Sequence, residues 1–221
     1  MKLNWGAKDK LTVALFIILI PIIYWGLNRA GYLPSFKYLF TKKEAIKSDS
    51  LPVARDDLLD YNRSLSEILN EPLDTSQTAI KVEKSQYKLT LYYRGTAIKS
   101  YPIVLGGNPV EDKLKEGDSK TPEGIFKIRD LYPHASWSKF IWIDYPNEES
   151  WRKHLAAKQA GQISSFSRIG GEIGIHGVPN NRNYLIDNNS NWTLGCVSLK
   201  NQDVDEIYTA VRVGTTVEIT P

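Results

Sequence analysis

The sequence predicts a mainly β domain with small helices, on two observations. Between residues 78 and 220, short runs of β-branched and aromatic residues recur, separated by Gly, Pro, Asn and Asp clusters. Only two stretches of that region, 150–159 and 201–212, carry a helical pattern.

Taken in order, Thr78–Glu83 and Tyr87–Tyr93 are rich in β-formers, and Arg94-Gly95 supplies a turn after them. Thr96–Leu105, Gly124–Arg129, Lys139–Ile143, Glu172–His176, Thr193–Leu199 and Thr215–Thr220 are the further strands. Helices are expected at Ser150–Gln159 and Asn201–Arg212. Asn201-Gln202-Asp203 is suited to cap the second helix, whose Val204, Ile207, Tyr208 and Val211 share one face. The Gly-rich stretch 106–118 and the Asn-rich stretch 179–191 read as loops.

Upstream the composition changes. Leu11 to Asn28 is a run of 18 residues without a charge. As a helix it would rise about 27 Å, close to the thickness of a bilayer core. Lys2, Lys8 and Lys10 precede it, and Trp5, Tyr24 and Trp25 suit the membrane interfaces. A transmembrane helix over about 11–28, within an anchor of residues 1–28, is therefore expected. A cleaved signal peptide is the rival, but Tyr24 to Arg29 makes a poor cleavage site. Arg29, Lys37, Lys42 and Lys43 follow the run, so charge leaves its orientation open. Residues 29–76 read as a stalk. Within it Asp56–Asn70 is expected to be an amphipathic helix, with Leu58, Tyr61, Leu65 and Leu69 facing the next domain and Glu71-Pro72 as its stop. Residues 77–221 are expected to form one further domain.

At 221 residues, 42% apolar and 24% charged, the chain has ordinary globular composition. A formal charge of +3 and the lack of any basic tract interleaved with aromatics argue against a nucleic-acid partner. One cysteine offers no zinc pattern, His134 and His154 belong to no metal motif and read as surface or loop histidines, and Gly106-Gly107-Asn108 lacks the Lys of a P-loop. No metal and no cofactor are expected.

That cysteine, Cys196, stands in Thr193-Leu194-Gly195-Cys196-Val197, downstream of Ile175-His176-Gly177. A thiolate is a nucleophile, and an imidazole can take the thiol proton and return it to a leaving amine. Cys196 as nucleophile and His176 as base form the candidate pair. Gly177 and Gly195 would let backbone approach closely where a side chain would crowd substrate. The backbone N–H groups of Cys196 and Gly195 are candidate oxyanion donors, and Thr193 is either a third donor or an ordinary strand residue. Trp192, Tyr184, Tyr145 and Asn147 are candidate cleft residues, with core or loop packing as their other reading.

Four ordered blocks carry a resemblance. They are Ile80-Lys81-Val82 with Gln86–Tyr92; Tyr101–Gly106 leading to Ser119-Lys120-Thr121-Pro122-Glu123-Gly124; Gly170–Gly177, ending Ile175-His176-Gly177; and Thr193–Val197 followed by Val213–Ile219. From Thr78 onward the chain resembles L,D-transpeptidase catalytic domains of the YkuD type. It is most similar to the murein L,D-transpeptidase-like subgroup, whose Tyr-Pro-Asn motif stands here at 145–147. The resemblance implies a β-sandwich fold, no cofactor, and a domain facing the cell wall from the membrane. It implies attack by Cys196 on a peptidoglycan stem peptide at an L-configured centre, a thioacyl-enzyme, and an amine acceptor. It also implies that the carbonyl of Gly177 orients the His176 ring. Thr193 takes the place of the usual Ser, Leu194 that of the usual His, and Ser198 that of an Arg or Asn, so a cationic contact to substrate carboxylate is missing at 198. Transfer to an amine, hydrolysis of peptidoglycan-linked peptides, and a wall-binding module without turnover remain the three readings.

Overall fold

The structure is a computed structural model that describes residues 57–221. The anchor expected at 1–28 lies outside the described residues. Among the described residues no helix is long and apolar enough to cross a membrane.

The described chain opens with residues that pack on the domain. Leu58 and Leu65 are buried, and Tyr61 and Ile68 join the main core. The long amphipathic helix expected at Asp56–Asn70 shrinks to one turn, α1 (Leu65–Ile68). Two local features account for this. Asp60 takes a left-handed φ of 47°, which an α-helix does not admit, and Ser64 starts a new helix whose N-cap N–H is bonded by Glu67 Oε2 at 2.6 Å. The apolar stripe faces the domain as its pattern implies.

Strands β1 (Thr78–Glu83), β2 (Lys88–Tyr93) and β3 (Thr96–Pro102) form an antiparallel meander. Its second turn uses Arg94 and Gly95, both at positive φ, the geometry that suits a two-residue hairpin. β4 (Gly124–His134) runs past its expected end at Arg129. Helix α2 (Glu148–Gln159) follows β5 (Ser138–Ile143), and a short β6 (Gly174–His176) comes next. The Asn-rich loop holds one helical turn, α3 (Tyr184–Asp187). β7 (Val197–Ser198), α4 (Asn201–Ala210) and β8 (Thr216–Thr220) complete the chain.

The eight strands of the described residues belong to one sheet, in the order β3-β2-β1-β8-β4-β5-β6-β7. The expected sandwich is thus a single mixed, curled sheet. β4 is its corner. Gly124–Lys127 pair with β8, Ile128–His134 pair with β5, and the register shifts between Ile128 and Asp130. Such a bulge bends a strand and raises its twist. The curl is evident in the core, where Leu89 and Leu91 of β2 share one cluster with Ile175 of β6 and Val197 of β7, although six places separate β2 from β7 in the sheet order. Helix α4 buries Val204 and Ile207 and packs against β5. Its Asp203 accepts from the Tyr61 hydroxyl at 3.0 Å, and its Glu206 accepts from the Leu65 N–H at 2.9 Å. These bonds tie the entry segment to the sheet.

Candidate active site

β6 and β7 run parallel, with Ile175 opposite Val197 and His176 opposite Ser198. This register brings His176 near the chain entering β7, which carries Cys196. Both residues line one cleft of about 1170 Å³. Trp137, Trp192 and Leu194 supply apolar lining, and Lys113, Glu116, His154, Lys158 and Arg168 supply charged or polar lining.

His176 is buried, and its Nδ1 lies 2.7 Å from the carbonyl oxygen of Gly177. A carbonyl only accepts, so Nδ1 carries the proton and Nε2 keeps a lone pair. The ring stacks on Trp137 at 4.5 Å and on Phe140 at 5.8 Å, and meets Trp192 edge-on at 5.4 Å. Burial pushes its pKa down to about 4; the bond to Gly177 opposes that shift, and His134 adds to it. The imidazole is therefore neutral at pH 7.

Cys196 is partly exposed, with Sγ 3.6 Å from the Glu172 carbonyl oxygen. Enclosure of the sulfur pushes the thiol up to about 11, against a backbone bond from Gly174 and the charge of Lys113. Cys196 and His176 thus rest as a neutral thiol and a neutral imidazole.

The turn before Cys196 differs from expectation in two ways. The Gly195 N–H donates to Thr193 Oγ1 at 3.2 Å, and the Thr193 hydroxyl donates to the Cys196 carbonyl at 2.7 Å. Gly195 N–H and the single Thr193 hydroxyl proton are therefore engaged within the turn, and neither is available to an oxyanion. The glycines also serve the chain's own packing. A Cβ on Gly195, whose φ is +140°, would sit 2.6 Å from the Lys120 carbonyl oxygen. A Cβ on Gly177 would sit 2.2 Å from Asn201 Oδ1 and 2.6 Å from the Trp137 carbonyl oxygen. The crowding expected against substrate falls on protein atoms.

Of the four aromatic and amide candidates, only Trp192 lines the cleft. Tyr145 is a core residue whose hydroxyl donates to the Ile169 carbonyl at 3.3 Å. Asn147 caps α2, accepting from the Ser150 N–H at 3.0 Å and donating to the Ile125 carbonyl at 3.0 Å. Tyr184 is exposed on α3, outside the lining. Nor are the two other histidines idle surface residues. His154 is buried on α2, lines the cleft and donates Nδ1–H to the Leu114 carbonyl at 2.6 Å. His134 stacks on Trp137 at 4.3 Å.

Sequence reasoning missed several residues. Asn201 at a helix start reads as a cap, yet Lys200 holds that position. Asn201 Oδ1 instead accepts from the Val178 N–H at 2.8 Å, fixing the chain that leaves Gly177. Trp137, Phe140 and Lys113 carry no motif, and only the fold brings them to His176 and Cys196. Among the described residues no group of three or more His, Cys, Asp or Glu side chains is placed to hold a metal ion.

Comparison with known proteins gives the family. Residues 77–219 match the model of the YkuD family, the L,D-transpeptidase catalytic domain. The chain belongs to that family. A putative L,D-transpeptidase, YafK of Escherichia coli K12, is 25% identical over 150 residues, 65% of this chain and 51% of that protein. The crystal structure of Pgp2 from Campylobacter jejuni, described as a helical cell shape determining protein, matches with a TM-score of 0.49 at 22% identity. The match covers 70% of this chain and 53% of that one. Bd1075 of Bdellovibrio bacteriovorus matches with a TM-score of 0.47 at 21% identity, over 65% of this chain and 48% of that one. The chain thus spans about half the length of these relatives.

Proposed function

We propose that the domain is a cysteine L,D-transpeptidase acting on peptidoglycan stem peptides. One observation carries this reading: Cys196 and His176 line the same cleft, and Gly177 takes the Nδ1–H so that Nε2 is the basic atom. Cys196 Sγ attacks the carbonyl of an L-configured centre, and its proton passes to His176 Nε2. The Cys196 N–H faces the resulting oxyanion. When the tetrahedral intermediate collapses, the C–N bond breaks and His176 returns the proton to the leaving amine. A second amine then attacks the thioester and regenerates the thiol. Water in that place gives hydrolysis through the same acyl-enzyme. Burial of His176 and enclosure of the Cys196 sulfur make the proton transfer uphill, so substrate binding has to favour the charged pair.

The test uses two measurements on the purified chain. Incubation with a carbapenem followed by intact-mass measurement is expected to show one covalent adduct, lost in Cys196→Ala. An adduct that persists in the variant removes Cys196 as nucleophile. Mass spectrometry of muropeptides after incubation separates new crosslinks, trimmed stems and no change, the last being the result for a wall-binding module. We also propose that residues 11–28 hold the domain at the membrane, facing the wall; extraction of the protein by alkaline carbonate would overturn that.

A further inference from the structure

An oxyanion in a water-poor site needs preorganised donors. With the Gly195 N–H on Thr193 and the Thr193 proton on the Cys196 carbonyl, the donor the turn offers next to the sulfur is the Cys196 N–H. The cleft holds another donor. Lys113 lines it together with Cys196, and its side chain is only 3% exposed. Its ammonium donates to Asp118 Oδ1 at 2.7 Å and to the Lys115 carbonyl at 3.2 Å. An ammonium has three N–H donors. The third has no partner among the described residues. Its Nζ lies 3.6 Å from the point a Cβ on Gly195 would occupy, beside the residue that precedes the nucleophile.

The ammonium is held rigidly. Asp118 accepts from the N–H groups of Leu114, Lys115 and Lys120 at 2.9–3.1 Å as well as from Lys113. Burial opposes ionisation of Asp118, but these bonds outweigh it and keep its carboxyl below the usual range. A buried ion pair that leaves one N–H without a partner is costly to build for packing alone.

We propose that Lys113 is a further catalytic residue, whose unspent N–H and positive charge form the second half of the oxyanion hole beside the Cys196 N–H. It is also a cation in the cleft of a chain whose position 198 lacks one, and it acts at the reacting carbonyl. The inference rests on the acyl-transfer reading above.

The test compares the full chain with Lys113→Met and Lys113→Gln. Gln keeps amide hydrogens for Asp118 and the Lys115 carbonyl, so it serves if Met unfolds the loop; thermal melts follow both. Turnover of muropeptides and alkylation of Cys196 by iodoacetamide are measured side by side, because alkylation forms no oxyanion. The expected result is a fall in kcat of about 10²–10³-fold with KM little changed and alkylation slowed far less. Turnover at the wild-type rate would overturn the proposal. So would a raised KM with kcat intact, which marks a carboxylate subsite, or equal losses of turnover and alkylation, which mark an effect on the thiol alone. A wild-type chain that turns over no muropeptide removes the acyl-transfer reading itself, and this inference with it.

Discussion

The hydroxyl of Ser198 donates to the carbonyl oxygen of Gly177 across 3.3 Å, and the same oxygen receives the Nδ1–H of His176. A carbonyl has two lone pairs, so Ser198 and His176 together satisfy it. Ser198 is fully buried and is absent from the cleft lining. Ser198 thus supports the bond that orients the His176 ring from behind the cleft.

Ser198→Arg is therefore expected to damage the fold and to bring no carboxylate contact. It would force a charge and a long side chain into a closed site, at a cost of several kcal/mol. Ser198→Ala loses one hydrogen bond and is expected to cost about 1 kcal/mol. Urea unfolding of the two variants measures both. An Arg variant with wild-type stability would show that the site opens to the cleft.

Thr193→Val keeps the shape of the side chain and removes both bonds that tie Gly195 to Cys196. A clamp within the turn predicts a stability loss of about 1–3 kcal/mol, because a buried N–H and C=O lose their partner. Thr193→Ser should recover most of it. Wild-type stability in the Val variant with turnover lost would return Thr193 to the role of oxyanion donor.

Much of the sheet was legible because its strands are rich in β-branched and aromatic residues and are bounded by turn formers. β1 matches its predicted span, Thr78–Glu83, since its burial alternates along the whole run. β7 shrinks from the expected Thr193–Leu199 to two residues because Thr193 to Cys196 fold into a turn closed by the Thr193 hydroxyl. β4 outruns its prediction because Asp130 to His134 look like a polar loop, and β5 alone holds them in the sheet. Trp192 is legible because it lies close to Cys196 in sequence. Tyr145 and Asn147 share a motif but serve the core and a helix cap, and motif membership does not tell these roles apart. Trp137, Asn201 and Lys113 act across long sequence separations and leave no local signal.

The pH dependence follows from the buried pair. Alkylation of Cys196 is expected to be slow at pH 7.5 and to rise about tenfold per pH unit toward pH 11, the value to which burial pushes the thiol. His176 is lowered to about 4 in the folded chain, against about 6.5 when unfolded. The folded state then binds fewer protons, so stability falls as pH drops from about 6.5 toward 4, by up to about 3 kcal/mol, and His176 contributes no pH dependence above that window. Thermal melts from pH 4 to 8 check the sign, with His176→Gln expected to flatten the slope. A profile centred near 9 for alkylation would contradict the enclosed thiol.

Two buried histidines line the cleft, and their bonds separate their roles. His176 donates Nδ1–H to its neighbouring carbonyl, and its position opposite Ser198 in the β6–β7 ladder puts it next to the turn that carries Cys196. His154 donates Nδ1–H to the Leu114 carbonyl and so ties α2 to the loop that carries Lys113. His176→Gln is expected to lower turnover by about 10²–10⁴-fold, the usual worth of general acid–base assistance, with the fold retained. His154→Gln keeps an amide donor for Leu114, so its main effect is expected on the melting temperature, with turnover per folded molecule little altered. Muropeptide turnover normalised to alkylatable Cys196 decides between them. Near-wild-type turnover in the His176 variant would end the proposed pair, and a larger loss in the His154 variant would move the base to α2.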